Sequence, residues 1–355
     1  MSLLKKAPVS LYAERTFTQK FNDTFEFCSR NWKVLLRTLT YFLLPLSILQ
    51  ALSLNAYMQG MMDMQGINSM TGADGALIQS LSGYAATVVF SVIGMTLMAG
   101  IVYSIMAVYE DKKDDVNSMT LKQLWPIIRR KLLRAAAAAG IIIAFSVSAI
   151  ILGVLLALIS PFLIVIPLFG YLALIMPLSL LYPICVFEKI SLVEAVKKVV
   201  DLGFKTWGGI LAITFVVSLV VGIVSNMVGA PYGILIMMKS AAGLNSSLST
   251  FTNGPIYTAA IYIFGVLTTF VSYIGYSIVA VALAYQYGHA AEKFDTERIA
   301  DQISDFDNLK QGPDKGKDNG SNGISASVGN GMNANPGTDG SSKPRFDEID
   351  DFEKL

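Results

Sequence analysis

Six stretches of this 355-residue chain are long enough to cross a bilayer and almost free of charge, and that feature limits the folds open to it. They cover residues 34–54, 83–108, 135–159, 162–187, 208–229 and 258–288. A helix crossing the ~30 Å hydrocarbon core needs about 20 apolar residues. Only the first stretch holds an Asp, Glu, Lys, Arg or His, namely Arg37, one turn from its expected inner end, where the stem can snorkel to the headgroups. The third and fourth stretches are parted by little more than Ser160-Pro161. Read as one helix they would be far too long for one crossing, so two spans joined by a tight hairpin are expected.

Composition agrees. Charged residues make up 15% of the chain, against about 25% in soluble domains, and 53% are hydrophobic. The formal charge of +1 lacks the basic excess that nucleic-acid binding needs. One histidine and two cysteines exclude most His- or Cys-based metal sites and any disulfide framework, and no cofactor is expected.

Orientation follows from Lys and Arg in the short connections. Six precede the first span, seven lie in 110–134 and four in 188–206. The alternate connections, 55–82, 160–161 and 230–257, hold one between them, Lys239. Both termini are therefore expected in the cytoplasm, in a bacterial inner membrane, with the first span an uncleaved anchor. Cys28 and Cys185 then fall near the cytoplasmic face, where thiols stay reduced.

An amphipathic stretch precedes each odd-numbered span. Phe17, Phe21, Phe25, Cys28 and Trp32 trace one helical stripe. Leu121, Leu124, Trp125, Ile128 and Leu132 trace the second, and Val193, Val196, Val200 and Phe204 the third. Ser191 with Glu194 reads as a capping box. Such helices can lie in the cytoplasmic interface with their basic residues toward anionic lipids. The expected fold is all-α and polytopic: six transmembrane helices in three hairpins, each preceded by an interfacial amphipathic helix. Its parts are an N-terminal segment 1–33, a membrane domain 34–294 and a disordered cytoplasmic tail 295–355.

Small residues recur every four positions in three spans: Ala136, Gly140, Ala144 and Ser148; Ser218, Gly222, Asn226 and Ala230; Gly83, Thr87 and Ser91. They are expected at close helix contacts. In the fourth span Pro167, Pro177 and Pro183 each remove a backbone donor, and broken helices line substrate sites in transporters, so these three are the candidate pathway-lining residues. Coupled transport would call for intramembrane charge, which the spans lack apart from Arg37. His289 has no nucleophile within a recognisable motif and reads as an interfacial anchor. Met58, Met61, Met62, Met64 and Met70 between the first two spans are soft ligands that could suit Cu(I) or simply fill space.

In the tail, 303–309 and 349–355 share the pattern I-x-D-F-acid-x-L. Phe346, Ile349, Phe352 and Leu355 are the candidate docking residues for a cytoplasmic protein partner, folding as a helix into a groove.

The run Phe187, Glu188, Lys189, Ile190, Ser191 and onward to Lys197-Lys198, followed by Leu202 and Trp207-Gly208-Gly209, resembles a loop of the six-helix membrane domain attached to some bacterial glycerophosphoryl diester phosphodiesterases. Asp23-Thr24-Phe25 through Asn31-Trp32-Lys33, leading to Pro45, is similar to that domain's start. The resemblance covers about 14–294 and implies the membrane architecture alone. The family's catalytic barrel needs paired histidines and metal-binding acids, and a chain with one histidine cannot supply it. The expected function is a non-enzymatic scaffold or accessory subunit in envelope or lipid-related processes. The alternative is a permease or lipid-handling transporter using the fourth span.

Overall fold

The computed structural model describes residues 9–64, 73–112, 115–242 and 246–310. Residues up to Ser304 form one compact unit, and those from Asp305 a second whose described part, 305–310, is helical. Nine α-helices, two short 3₁₀ turns and no strand occur among the described residues. The helices are α1 (Phe17–Met64), α2 (Ala73–Lys112), α3 (Leu121–Ile159), α4 (Val165–Leu178), α5 (Leu181–Phe187), α6 (Leu192–Lys205), α7 (Trp207–Ala241), α8 (Ser246–Thr252) and α9 (Pro255–Lys310). Six helical segments are long and apolar enough to cross a membrane, the make-up of a multi-pass membrane protein: Phe17–Met64, Asp74–Lys112, Leu121–Ile159, Pro161–Phe187, Trp207–Ala241 and Pro255–Phe294. Each contains one of the six uncharged stretches.

The helices are longer than the spans within them. The 48 residues of α1 extend ~72 Å, more than twice the hydrocarbon thickness. The first two amphipathic stretches are thus not separate helices, as the sequence reading expected, but N-terminal parts of α1 and α3. No Pro or Gly separates stretch from span in α1, and Pro126 of α3 falls near the helix start, so nothing ends either helix at the boundary. The third stretch is its own helix, α6. It opens on a capping box, with Glu194 N–H donating to Ser191 Oγ (3.3 Å) and Ser191 N–H to Glu194 Oε2 (3.0 Å).

Another boundary shifts as well. The tail was expected to be disordered from residue 295, but α9 continues to Lys310. Past Phe294 the chain carries Glu, Arg, Ala, Gln and Leu, good helix formers that propagate an existing helix. The repeat at 303–309 lies in this extension. Candidate docking residues Phe346, Ile349, Phe352 and Leu355 lie outside the described residues.

Between α1 and α2 the backbones touch. A Cβ on Gly83 would sit 2.5 Å from Tyr57 N, and one on Gly60 2.5 Å from Ser80 N. Gly83 therefore serves the close contact its row predicted. Gly140 and Gly222 do not, since a Cβ on either meets nothing within 4 Å.

The buried core gathers toward one end of the bundle. Phe27, Leu39, Tyr103, Leu124, Ile128 and Tyr285 pack together there, and a second cluster joins Leu180, Leu181, Ile184, Val199, Leu202 and Tyr287. Beyond it the α3–α4 hairpin is largely exposed: Leu158, Ile159 and Phe162 are 79%, 76% and 86% accessible. In water such a surface would be untenable, whereas in lipid it costs nothing.

The segment before α1 is tied across this core end. Leu11 N–H donates to Glu110 Oε2 (2.7 Å), Ser10 Oγ to Glu110 Oε1 (3.1 Å) and Arg15 N–H to His289 Nδ1 (3.0 Å). Arg15 also pairs with Asp23 (2.7 Å) and lies over the Tyr285 ring. Gly288 permits the crossing, because a Cβ there would fall 2.1 Å from Leu11 O. His289 is thus a backbone acceptor for this segment, a role its isolation in sequence did not suggest.

Candidate functional site: the broken fourth span and the cavities beside it

The fourth span is assembled from three pieces, a 3₁₀ turn Pro161–Ile164, then α4, then α5. Pro167 occupies the first turn of α4 and Pro183 that of α5, where a missing N–H leaves no helical bond unmade. A continuous helix through this region would need Pro183 to donate to Ser179 O, which it cannot. The chain instead tightens: Ser179 N–H donates to Ile175 O (3.0 Å) and Met176 O (3.2 Å), and Leu180 N–H to Pro177 O (3.0 Å). The helix then restarts at Leu181.

Pro177 leaves a second gap, since Ala173 O loses the donor four residues on. The indole N–H of Trp207, the first residue of α7, donates to that carbonyl at 3.0 Å. At the same break α6 packs against the end of α4, where a Cβ on Gly203 would lie 2.5 Å from Pro177 Cβ. The break is therefore a docking point for α6 and α7.

At its far end the fourth span is held by Glu188. This carboxylate accepts from Tyr287 Oη and from Lys198 Nζ (2.7 Å), while Arg134 donates to the Glu188 and Cys185 carbonyls. Phe187 stacks on Tyr287 with centroids 6.0 Å apart. One residue thus joins the end of α5 to α3, α6 and α9. Cys185 and Cys28 are free thiols.

Two cavities lie beside this span. The larger, about 580 Å³, sits among α2, α3, the α4–α5 break and α9, with walls that include Val92, Met98, Ala139, Ile142, Ser179 and Tyr276. The smaller, about 390 Å³, lies between α3 and α4 and is lined by Gly153, Ile164, Pro167, Leu168 and Tyr171 among others. Ser146 and Ile150 belong to both, so the two meet along α3. Ser146 Oγ and Tyr171 Oη are hydrogen-bonded there at 3.3 Å. Neither lining contains an Asp, Glu, Lys, Arg or His, and its polar groups are hydroxyls. The larger cavity opens sideways, since Val88, Val147 and Ile150 of its wall are exposed on the bundle surface. Space of this size and lining admits a small or chain-like apolar ligand.

Of the three candidate prolines, Pro167 stands on a cavity wall. Pro177 and Pro183 are buried and line neither of these two cavities. The row Ser218, Gly222, Asn226 and Ala230 lines a third cavity of about 530 Å³ between α7 and α9 instead of a helix contact. The methionines are dispersed: Met58, Met61, Met62 and Met64 lie in α1, Met62 buried and Met64 exposed, and Met70 falls outside the described residues. No group of three or more His, Cys, Asp or Glu suited to a metal occurs among the described residues.

Sequence reasoning missed Trp207, Ser146 and Tyr171. The missing donor at Pro177 did signal that Ala173 O needs a partner, but not which residue supplies it. No family model, no characterised protein and no solved structure matches the chain.

Proposed function

We propose that this chain is a non-enzymatic accessory or scaffold protein of the bacterial inner membrane whose work concerns lipid. The observation that carries the reading is the uncharged cavity among α2, α3, α9 and the fourth-span break, open sideways where the apolar surface meets acyl chains. The arrangement we infer around it is three hairpins with both termini in the cytoplasm, as the Lys and Arg distribution favours. The amphipathic stretches lie along the inner leaflet. In α6, Ala195, Val199 and Leu202 face the bundle while Val193, Val200 and Phe204 are exposed beside Lys197, a surface suited to acyl chains and anionic headgroups. The tail carries a docking peptide for a cytoplasmic partner. Kinship with the membrane domain of the glycerophosphoryl diester phosphodiesterases accords with a lipid-related role and is part of the same proposal.

The test is the lipid that stays with the protein through purification in mild detergent, identified by native mass spectrometry. Wild type and Leu158→Trp, altered on the exposed hairpin, should retain it. Ala139→Trp, which fills the larger cavity, should not. Equal retention in all three would count against the cavity as the lipid site.

A second reading, a lipid-handling permease, is favoured by the discontinuity between α4 and α5 with Pro167 on an adjoining cavity wall. It predicts altered flux in Pro167→Ala or Pro177→Ala at unchanged protein level. Unchanged flux in both would remove it.

A further inference from the structure

The two cavities are arranged end to end along one helix. The larger takes Ala139, Ile142, Ile143, Ser146, Val147 and Ile150 from α3, and the smaller continues with Ala149, Ile150, Gly153 and Val154. At 1.5 Å per residue the stretch from Ala139 to Val154 is ~22 Å long. One leaflet of hydrocarbon is ~15 Å thick, about the length of the larger cavity alone. The shared waist at Ser146 and Ile150 falls near the middle of the uncharged run 135–159, close to the expected bilayer mid-plane. At ~1.25 Å per methylene an extended chain of about 13 carbons would fill the larger chamber and stop near the waist, whereas one of about 18 would reach the end of the smaller.

We propose that the two chambers form one tunnel for a single extended hydrocarbon chain longer than a leaflet is thick, and that the far chamber measures its length. This deepens the lipid-related reading and rests on it. The lining suits such a chain: it offers no charge to a headgroup, and its hydroxyls have partners within the protein at the waist, where Ser146 and Tyr171 bond each other. Gly153 sets the end of the tunnel. A Cβ there would meet Pro167 Cγ at 3.7 Å and Ile164 Cγ1 at 3.9 Å, ordinary contacts, so a larger side chain fits by occupying the space the ligand would take. Long straight acyl chains and polyprenyl chains share this chemistry.

The experiment uses the full chain in detergent, stripped of lipid and exposed to an equimolar series of single-chain phospholipids from decanoyl to tetracosanoyl, with bound species read by native mass spectrometry. A parallel arm uses polyprenyl phosphates of graded length and tells the two sources apart. Wild type should prefer, in one series, chains whose extended length is near ~22 Å, about 18 methylenes, over shorter and longer ones. Gly153→Phe should move the preferred length down by about five methylenes, the ~6 Å of α3 between Ile150 and Val154, while keeping the short chains. Retained short-chain binding shows that the variant is folded, and Gly153→Leu gives a smaller shift if the larger ring is not tolerated. A wild type that binds every length equally, or a preference that Gly153→Phe and Gly153→Leu leave unmoved, overturns the length-measuring tunnel and leaves the lipid reading standing. A wild type that binds no chain of either kind overturns both.

Discussion

At the scale of single residues, the contact between Trp207 and Ala173 shows how this chain tolerates proline in a membrane helix. Pro177 deprives Ala173 O of its helical donor on the outer surface of the span, and a carbonyl left unpaired away from water costs about 1–3 kcal/mol. The indole N–H at 3.0 Å replaces that donor. Trp207→Phe keeps most of the ring and removes the N–H, so it should destabilise the protein by about that amount in detergent unfolding. In a Pro177→Ala background the new backbone N–H can serve Ala173 O, and the same change should cost distinctly less. Equal costs in the two backgrounds would show that the hydrogen bond is incidental. Thr38 gives the opposite case: its buried hydroxyl has no partner among the described residues. Thr38→Val, nearly the same in shape, should leave the unfolding midpoint unchanged or raise it.

At the scale of elements, α6 separates what sequence can say from what it cannot. Its start was legible, because Ser191 and Glu194 occupy the positions a capping box requires. Ser191→Ala should cost about 1 kcal/mol of stability. The bonds from Ser191 also hold the Glu194 carboxyl below its usual range. A lowered folded-state value means this contribution is complete above the ordinary carboxylate pKa and fades as pH falls through the lowered one. The first turn of α6 should therefore lose amide protection, measured against the intrinsic exchange rate at each pH, as acid protonates Glu194, and a pH dependence of protection unaffected by Glu194→Gln would contradict that. Which side of α6 faces inward was not legible. Of the apolar stripe, Val193, Val200 and Phe204 point outward and Val196 is half-buried against the core, while the bundle receives Ala195, Val199 and Leu202. In α1 likewise Phe17 and Trp32 are exposed, whereas Lys20, Thr24 and Asn31 are buried, with Lys20 Nζ bonded to Gln286 Oε1 at 2.8 Å. Periodicity locates an apolar face. In water that face must turn inward, but beside lipid it has no such obligation. Gly140 and Gly222 make no close contact, although Gly83 does, for a related reason: whether a glycine meets a neighbour depends on another helix. Gly203 meets one, and Gly203→Leu should push α6 off Pro177 and expose the α6 connections to protease, while Gly222→Leu should not.

At the scale of the whole molecule the six spans were legible because the solvent is encoded locally: twenty uncharged residues suffice to identify each. The break in the fourth was legible too, from Pro177 and Pro183. The cavities were not, since the walls of the larger come from five helices and only packing brings Val88, Ala139, Ser179 and Tyr276 to one space. The orientation is open to a direct experiment. With Cys28 and Cys185 changed to Ala, single cysteines are placed by Met70→Cys, Asn245→Cys, Lys113→Cys and Lys189→Cys. In intact cells an impermeant maleimide should label the first two, from the connections poor in Lys and Arg. The other two, in the basic connections, should react only after permeabilisation, because positive residues beside a span resist translocation. The reverse pattern would put the amphipathic stretches on the outer leaflet and remove the cytoplasmic partner proposed for the tail. Mixed labelling at one position would mean that the cationic bias, strong as it is, does not fix a single topology.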